Sequence, residues 1–411
     1  MDFLGKNVVV VGAGKSGIGA ITLLHTLGAN ITLFDGNEKA DVETLKQQVA
    51  SLEVKDVYVG SLPESVVEET QMLVLSPGVP TDTEFVDKFR EKGATILGEI
   101  ELGYQVSKGK LIGITGTNGK TTTTTLVGQI MEEYFGNTFV VGNIGNPYTL
   151  EALKTDENSV TVAEISSFQL ETALDFKPQV SAILNVTPDH LNRHHTMENY
   201  AGAKETIAKN QTKEEVCVLN YENEYTREFG ERCNATVVYF SSQRKLENGY
   251  YLEGENIVVA KDGESQTLMN IHDMNLVGIC NVENVMAAIA ISKAMNVPYE
   301  NILDTVKRFK AVEHRIEFVA TKRGVDYYND SKGTNPDAAI QGIKAMCKPT
   351  ILIGGGYDKQ NEYDEWIEAF DKKVKLFVLI GQTRDKIAKC AREHGFEEIV
   401  MADTFEEAMD I

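Results

Sequence analysis

The sequence lacks a CxxC pair, a long apolar run and an excess of basic residues. Its five cysteines are odd in number and stand at positions 217, 233, 280, 347 and 390, which favours reduced thiols in a cytosolic protein. No apolar run approaches the roughly 18 residues that a membrane-spanning helix requires. A formal net charge of −21 argues against general nucleic-acid affinity and against docking on an anionic membrane.

Length and composition predict several folded domains. A chain of 411 residues with 42% hydrophobic residues is too long for one core and suggests roughly three domains of about 150 residues. The polar stretch at 107–110 and the residues after Lys310 suggest domains at 1–107, 108–310 and 311–411. Because the opening MDFLGKNVVVVGAGKSG enters a predicted strand at once, we expect no signal peptide and a cytoplasmic location.

The most informative motif is LIGITGTNGKTTTTT at 111–125, an apolar run that leads through a glycine-rich turn into a helix. Such a turn directs backbone N–H groups at phosphate, where Lys120 can reach the β- and γ-phosphates and the Thr121 hydroxyl can bind Mg²⁺. The spacing is a variant, because Ile114 replaces the first glycine of the usual pattern. A glycine turn with a chance lysine is the alternative, but the flanking strand and helix favour a nucleoside triphosphate.

A second glycine turn lies near the N-terminus. The GxGxxG turn at 12–17 follows a predicted strand at 7–11, and the next strand ends at Asp35, as in a Rossmann-type unit. The turn is only weak evidence for NAD, since any anionic ligand at such a turn binds the same backbone N–H groups. Lys15 and Ser16 suit a diphosphate. Asp35 can accept a hydrogen bond from a ribose hydroxyl or a base, or simply cap the turn.

Predicted strands alternate with helices through the central region, which indicates a mostly parallel sheet with ligand groups at the carboxyl ends of its strands. Asn143, Glu164 and the loop 185–190 fall at such ends. A buried acid at Glu164 needs a cation or hydrogen-bond donors; Mg²⁺ fits beside a phosphate loop, and a solvated acid is the alternative. Hairpin strands at 248–268 predict an antiparallel edge, and a third α/β unit follows Lys310.

Two histidines and a lysine lie after the predicted central strands. His190 and His194 have the i, i+4 spacing of a zinc pair, but Pro188 and the absence of an HExxH glutamate count against a zinc protease. We favour only His190 as a ligand or phosphate contact. Lys204 shares a predicted helix face with Tyr200, and from the residues alone it is a surface lysine.

The order of motifs along the chain closely resembles the ATP-dependent Mur ligases. These motifs are GITGTNGKTTT, GNIG, EISSFQL, NVTPDHLNRH, YAGAK, EHRIE, NDSKGTNPDAA and GGGYDK. The resemblance implies an α/β fold of three domains: a Rossmann-like N-terminal domain, a central P-loop-type, mostly parallel sheet with helices, and a Rossmann-like C-terminal domain. GAGKSG, Asp35, SPG and NDSKGTN are most similar to the members that add D-glutamate.

The resemblance also implies a reaction. The chain would use ATP and two Mg²⁺ ions to join D-glutamate to UDP-N-acetylmuramoyl-L-alanine through an acyl phosphate, in peptidoglycan precursor synthesis. It would act as a monomer without nucleic-acid or membrane partners. The implied catalytic residues are Lys120, Glu164, His190 and Lys204. Lys204 would be carbamylated, so that a cation becomes an anionic oxygen ligand.

The other implied site residues divide by ligand. The metal ligands would be Thr121, Glu164, His190 and Lys204. The ATP contacts would be Gly116, Thr117, Asn118, Gly119, Lys120, Thr121, Thr122, Asn281, Asn284, His314, Arg315 and Asp330. The UDP group would meet Gly14, Lys15, Ser16, Gly17 and Asp35. The muramoyl part would meet Ser76, Gly78, Asn143 and His190, and D-glutamate would meet Lys332, Thr334 and Lys359.

Three departures from the family pattern stand out. Cys280 replaces a histidine that often precedes the asparagine, and Asn192 replaces a common aspartate. The chain stops at Ile411, before a serine-rich loop and aromatic residue of relatives, so we expect an incomplete amino-acid site. Two other classes stay open as alternatives: an NAD-dependent oxidoreductase built on the first glycine turn, and a non-catalytic nucleotide or UDP-sugar sensor.

Overall fold

A computed structural model describes residues 1–411 and contains four β-sheets with helices packed against them. The strands are β1 (Asn7–Val11), β2 (Asn30–Asp35), β3 (Asp56–Val59), β4 (Met72–Leu75), β5 (Thr95–Gly98), β6 (Lys110–Thr115), β7 (Thr138–Gly142), β8 (Val160–Glu164), β9 (Val180–Ile183), β10 (Val216–Asn220), β11 (Thr236–Ser241), β12 (Gly249–Glu253), β13 (Asn256–Lys261), β14 (Glu264–Asn270), β15 (Glu317–Lys322), β16 (Val325–Asn329), β17 (Thr350–Gly355), β18 (Val374–Ile380) and β19 (Ile399–Met401).

Helices connect most of these strands. They are α1 (Lys15–Thr26), α2 (Val42–Gln48), α3 (Glu64–Glu69), α4 (Glu84–Glu91), α5 (Glu99–Tyr104), α6 (Lys120–Phe135), α7 (Tyr148–Glu151), α8 (Ser167–Leu170), α9 (Leu191–His194), α10 (Met197–Glu205), α11 (Glu224–Arg232), α12 (Ile279–Ala294), α13 (Tyr299–Arg308), α14 (Pro336–Ala345), α15 (Asp364–Glu368), α16 (Arg384–Glu393) and α17 (Phe405–Asp410). None of them is both long and apolar enough to cross a bilayer.

The first sheet is a parallel Rossmann-like sheet with strand order β3-β2-β1-β4-β5. Its central strands are runs of apolar, largely β-branched residues, and Val8 to Val11 are buried. The strand order reverses between β1 and β4, and ligands bind outside the carboxyl ends of strands at such a point. The first glycine turn lies there, because it directly follows β1.

The central sheet has nine strands in the order β14-β13-β12-β11-β10-β9-β6-β8-β7. The seven strands from β7 to β12 are parallel, whereas β13 and β14 are antiparallel, as the hairpin signals predict. Helices α6, α12 and α13 share a core of 31 buried residues with one face of the sheet. A second core of 20 residues covers the other face. This double packing fixes the carboxyl ends of β6, β7, β8 and β9 at one edge.

The C-terminal region contains two separate sheets. Strands β15 and β16 form an antiparallel hairpin, and β17, β18 and β19 form a parallel sheet with helices against it. A cluster of 12 buried residues around Trp366 and Phe377 holds this sheet to its helices. The hairpin is thus not part of the parallel sheet that the strand pattern after Lys310 suggests.

A buried carboxylate fastens the first sheet to the central region. Glu101 of α5 is 1% exposed and accepts hydrogen bonds from three successive backbone N–H groups, those of Leu174, Asp175 and Phe176, at 2.9–3.1 Å. The neighbouring Glu99 accepts from the backbone and hydroxyl of Thr149 at 2.7 and 2.8 Å. The relative position of the two regions is therefore set by specific hydrogen bonds as well as by apolar packing.

We expect Glu101→Ala to destabilise the fold by on the order of 2 kcal/mol, because it leaves the buried N–H of Phe176 and two partly buried N–H groups without their acceptor. Urea unfolding followed by circular dichroism measures the change. Glu91→Ala, which removes an exposed glutamate from α4, is the matched control and should change stability little. Equal losses in the two variants would contradict the anchoring role of Glu101.

Candidate active site

The turn between β6 and α6 is the centre of the site. Gly119 has a φ of 84°, and a Cβ atom there would lie 2.2 Å from Oδ1 of Asn284, so only glycine fits. Asn185 clamps the turn, because its Oδ1 accepts from the backbone N–H of Asn118 at 2.8 Å and its Nδ2 donates to the Asn118 carbonyl at 3.1 Å. The turn is thus held rigidly at the N-terminus of a 16-residue helix, where anions bind.

Two lysine amines converge on one carbonyl oxygen of this turn. Nζ of Lys120 donates to the carbonyls of Gly116 and Thr117, both at 2.8 Å, and Nζ of Lys204 donates to the Gly116 carbonyl at 2.9 Å. Burial lowers the pKa of Lys120, and the negative charge of Glu164 partly offsets this effect. Since two cations that share one oxygen repel each other, the arrangement favours a neutral amine on one of them unless anions arrive.

Lys204 is buried, contrary to its default interpretation as a surface lysine. It is 1% exposed, and its Nζ lies 4.4 Å from the centroid of the Tyr200 ring on the same helix, α10. Burial, reinforced by the charge of Lys120, holds the pKa of Lys204 well below its usual range. The Tyr200 hydroxyl is 3.2 Å from the Thr117 hydroxyl, so α10 packs directly under the phosphate loop.

Glu164 ends β8 beside the loop and is 1% exposed. Its Oε1 accepts a hydrogen bond from Nδ2 of Asn143 at 2.7 Å, whereas its Oε2 is buried without a partner. A buried carboxylate oxygen without a donor is costly, and a bound cation removes that cost. The donor set of a carboxylate, a threonine hydroxyl at Thr121 and water suits Mg²⁺.

His190 lies at the open side of the site. It has a left-handed φ of 54°, and its ring is 4.8 Å from the Phe168 ring. Burial lowers its pKa; Asp189 opposes this effect, and the positive charges of Lys359, Lys204 and Lys120 reinforce it. The nearby His194 is buried with its Nε2 3.0 Å from the Ser167 hydroxyl, so the two histidines have different surroundings.

A cleft of about 220 Å³ opens beside the phosphate loop. It is lined by seven residues predicted to contact ATP: Asn118, Gly119, Thr122, Asn281, Asn284, Arg315 and Asp330. Burial raises the pKa of the Asp330 carboxyl. His314, also predicted to contact ATP, does not line the cleft; its Nδ1 is 2.7 Å from Nδ2 of Asn329.

Residues at the start of α14 reach across to the phosphate loop. Oδ2 of Asp337 accepts from Nδ2 of Asn118 at 2.7 Å and from the Thr187 hydroxyl at 3.1 Å. Nδ2 of Asn335 lies 3.3 Å from Oδ2 of Asp189. The C-terminal region therefore touches the loop in this arrangement. Asn335 and Asp337 belong to the motif NDSKGTNPDAA, from which no role is predicted for them; their position at the start of a helix that follows a strand is the one signal for such a role.

The residues predicted for D-glutamate lie near this contact. Lys332 and Lys359 are exposed, and Nζ of Lys359 is 3.4 Å from the carbonyl of Thr334. The backbone carbonyl of Lys332 accepts from Nη1 of Arg315 at 2.9 Å. Two exposed lysines without a carboxylate partner therefore lie on the C-terminal side of the site, in a chain whose net charge is −21.

The first glycine turn forms a second cluster. A Cβ atom at Gly17 would lie 1.9 Å from the Gly12 carbonyl, so the turn requires glycine there. Oδ2 of Asp35 accepts from the Ala13 N–H at 3.3 Å, and the Ser76 hydroxyl is buried without a partner against the turn. Gly14 and Lys15 are exposed at the start of α1, and Gly78 follows Ser76 after β4. Asp35 therefore caps the glycine turn, which is one of the two roles that the sequence suggests for it.

A small cavity connects the two clusters. Ser76 and Gly98 line it from the first sheet, and Phe168 and Thr172 line it from the central region. The ring of Phe168 also contacts His190. The cavity therefore lies between the first glycine turn and the histidine at the open side of the phosphate-loop cluster.

Comparisons with known proteins match nearly the whole chain to one family. Family models described as "Mur ligase MurD-like, N-terminal domain", "Mur ligase middle domain" and "Mur ligase, glutamate ligase domain" match residues 6–98, 114–292 and 314–411. A curated protein of Lachnospira eligens, "UDP-N-acetylmuramoylalanine--D-glutamate ligase", is 57% identical over 100% of this chain and 91% of its own length. The chain belongs to the Mur ligase family. The resemblance carried by the motifs is thereby confirmed.

Other Mur ligases extend the comparison. A protein of Clostridioides difficile with the same name is 46% identical over 100% of this chain and 90% of its own length. A crystal structure of MurF from Acinetobacter baumannii superposes with a TM-score of 0.62 at 18% identity, covering 98% of this chain and 85% of the other. The α/β class with a mostly parallel central sheet is confirmed as the Mur ligase fold.

Proposed function

We propose that this Mur ligase uses ATP to join D-glutamate to UDP-N-acetylmuramoyl-L-alanine, as a step of peptidoglycan precursor synthesis. The observation that carries the proposal is the 57% identity over the whole chain to the L. eligens ligase of that name. The convergence of Lys120, Lys204 and Glu164 at a phosphate loop gives this reaction a site. A cytoplasmic location and a monomeric state are further proposals that accompany this function.

The first step activates a carboxylate, which is a poor electrophile. The terminal carboxylate of the UDP substrate attacks the γ-phosphorus of ATP, the bond to the bridging oxygen breaks, and an acyl phosphate and ADP result. Lys120 and the N–H groups at the start of α6 stabilise the charge on the transferring phosphate. The loop carbonyls that now hold Lys120 are weaker partners than phosphate, so its amine is available to ATP.

Glu164 and Thr121 would hold one Mg²⁺ ion, and Lys204 and His190 would serve a second. Bound Mg²⁺ supplies charge neutralisation for the phosphates. Lys204 acts here as a carbamate, formed when its neutral amine attacks the carbon of carbon dioxide and releases one proton to solvent. Its burial and lowered pKa support that proposal, because only the unprotonated amine reacts. The carbamate would also replace the repulsion between Lys204 and Lys120 by attraction.

The second step forms the amide bond. The neutral amine of D-glutamate attacks the acyl carbon, and phosphate leaves with the bonding electrons. Lys332, Thr334 and Lys359 would bind the carboxylates of D-glutamate. As a less favoured alternative to its role at the metal, His190, whose pKa is lowered by burial, would accept the amine proton after attack. Contacts of Asn335 and Asp337 with the loop region would help to exclude water.

One assay separates this function from its alternatives. Phosphate release from ATP should require both UDP-N-acetylmuramoyl-L-alanine and D-glutamate, and omission of either should reduce it to background. No change in nicotinamide absorbance should accompany turnover. Turnover of NAD with a hydroxy-acid or alcohol substrate would favour the oxidoreductase, and tight UDP-sugar binding without phosphate release would favour a sensor.

We expect Lys15→Ala to raise the KM for the UDP substrate on the order of tenfold while the KM for ATP stays unchanged. Lys15 is exposed at the start of α1, where the helix N-terminus lacks a side-chain cap and can accept a diphosphate. Steady-state kinetics with each substrate varied measures both constants. Lys46→Ala on the exposed face of α2 is the matched control. A parallel rise in the KM for ATP would contradict two separate nucleotide sites.

A further inference from the structure

A group of metal-ligating side chains lies on the C-terminal domain and shares no residue with the proposed active site. Asp364 and Glu368 are one helical turn apart on α15. Cys390 and His394 have the same spacing at the end of α16. One ligand atom from each of Asp364, Cys390 and His394 can be chosen so that all three lie within 4.8 Å of one another.

The orientation of the His394 ring is fixed by its own helix. Its Nδ1 is 3.0 Å from the carbonyl oxygen of Cys390. A carbonyl only accepts, so Nδ1 carries the hydrogen, and Nε2 is the nitrogen through which the ring can bind an ion. Nε2 lies 3.6 Å from Oδ1 of Asp364 and 3.7 Å from Oε1 of Glu368. Carboxylate oxygens from two positions of α15 therefore lie near this nitrogen.

The separations between Nε2 of His394 and the two carboxylates resemble those between ligands around a small ion. The separations of 3.6 and 3.7 Å are longer than hydrogen bonds. They match the roughly 3.3–3.8 Å that separates neighbouring ligands when a tetrahedral ion binds nitrogen, oxygen and sulfur at about 2.0–2.3 Å. Sγ of Cys390 lies beside the same ring, 3.9 Å from Nδ1.

We propose that Asp364, Glu368, Cys390 and His394 form a zinc-binding site that joins α15 to α16. A thiolate and an imidazole select zinc over Mg²⁺, which prefers oxygen ligands. The His394 side chain is 27% exposed and the two carboxylates are more than half exposed, so an ion can enter from solvent. The ion would link two helices that pack on the β17–β18 sheet, close in the chain to Lys359.

Cobalt serves as the spectroscopic probe for the site, with the full chain in the metal-free state. One equivalent of Co²⁺ should produce a thiolate-to-cobalt charge-transfer band, which the oxygen ligands of a magnesium site cannot give. Cys390→Ser should abolish the band. Cys347→Ser, which changes an exposed cysteine of the same domain, is the matched control and should keep it. A missing band in the unmodified chain, or a band that persists in Cys390→Ser, overturns the proposal.

Zinc affinity tests the other ligands. In competition with a chromophoric chelator, His394→Gln and the double variant Asp364→Asn/Glu368→Gln should each bind zinc at least tenfold more weakly. Zinc should raise the thermal midpoint of the unmodified chain but not that of Cys390→Ser. ATP-dependent ligation by Cys390→Ser with Mg²⁺ verifies that the variant is folded. Unchanged zinc affinity in both ligand variants overturns the proposed site and leaves the ligase function untouched.

Discussion

Lys204→Ala is expected to reduce ligase turnover by at least about 10³-fold while the chain stays folded. The side chain is buried under the phosphate loop, and its amine is bonded only to the carbonyl of Gly116. If that amine becomes a carbamate, its removal takes an oxygen ligand from the metal and an anion from beside Lys120. Initial rates of phosphate release measure the loss, and the thermal midpoint verifies the fold.

Two further measurements separate a carbamate from a buried ammonium. Lys204→Arg should be equally inactive, because guanidinium keeps the positive charge and cannot add carbon dioxide. Acetate or formate at high concentration should restore part of the activity of Lys204→Ala, since a small carboxylate can enter the vacated space and supply the missing oxygen. Lys209→Ala, on the segment after α10, is a control for nonspecific effects. Near-normal activity of Lys204→Arg would contradict the carbamate role.

The effect of removing carbon dioxide on ligase activity should depend on pH. The amine must be neutral to react, and burial together with the charge of Lys120 holds its pKa low, which favours the reactive neutral form. As the pH falls through this lowered pKa, protonation competes with carbon dioxide. Loss of activity in degassed buffer should therefore be larger at low pH, and added bicarbonate should reverse it.

The phosphate loop and the parallel central sheet were predictable because both depend on short-range patterns. Glycine spacing fixes the turn, and apolar runs that end in a polar side chain place Asn143 and Glu164 at one sheet edge. In the structure the two side chains meet at that edge in a hydrogen bond of 2.7 Å. Such local signals also gave the antiparallel hairpins at the edge of the central sheet.

The environment of Lys204 could not be predicted from its own helix. The hydrophobic pattern of α10 does not reveal that the helix packs under a loop 88 positions earlier in the chain. The contacts of Asn335 and Asp337 with the loop join residues more than 140 positions apart and depend on how two domains meet. Periodicity carries no information on that arrangement. Family motifs pointed to Lys204, whereas Asp337 gave no signal strong enough to assign.

Lys120→Ala is expected to abolish formation of the acyl phosphate and to lower turnover by at least about 10³-fold, because the transferring phosphate loses its nearest fixed cation. Hydroxylamine traps an acyl phosphate as a stable hydroxamate, so the yield of hydroxamate measures this step without D-glutamate. Lys108→Ala changes an exposed lysine just before β6; it is the matched control and should give a normal yield.

The Lys120→Ala variant should still bind UDP-N-acetylmuramoyl-L-alanine, because Ser76 and the turn at 12–17 follow strands of the first sheet, whereas Lys120 follows a strand of the central sheet. If calorimetry showed that the folded variant no longer binds this UDP substrate, the separation of the two nucleotide sites would be wrong.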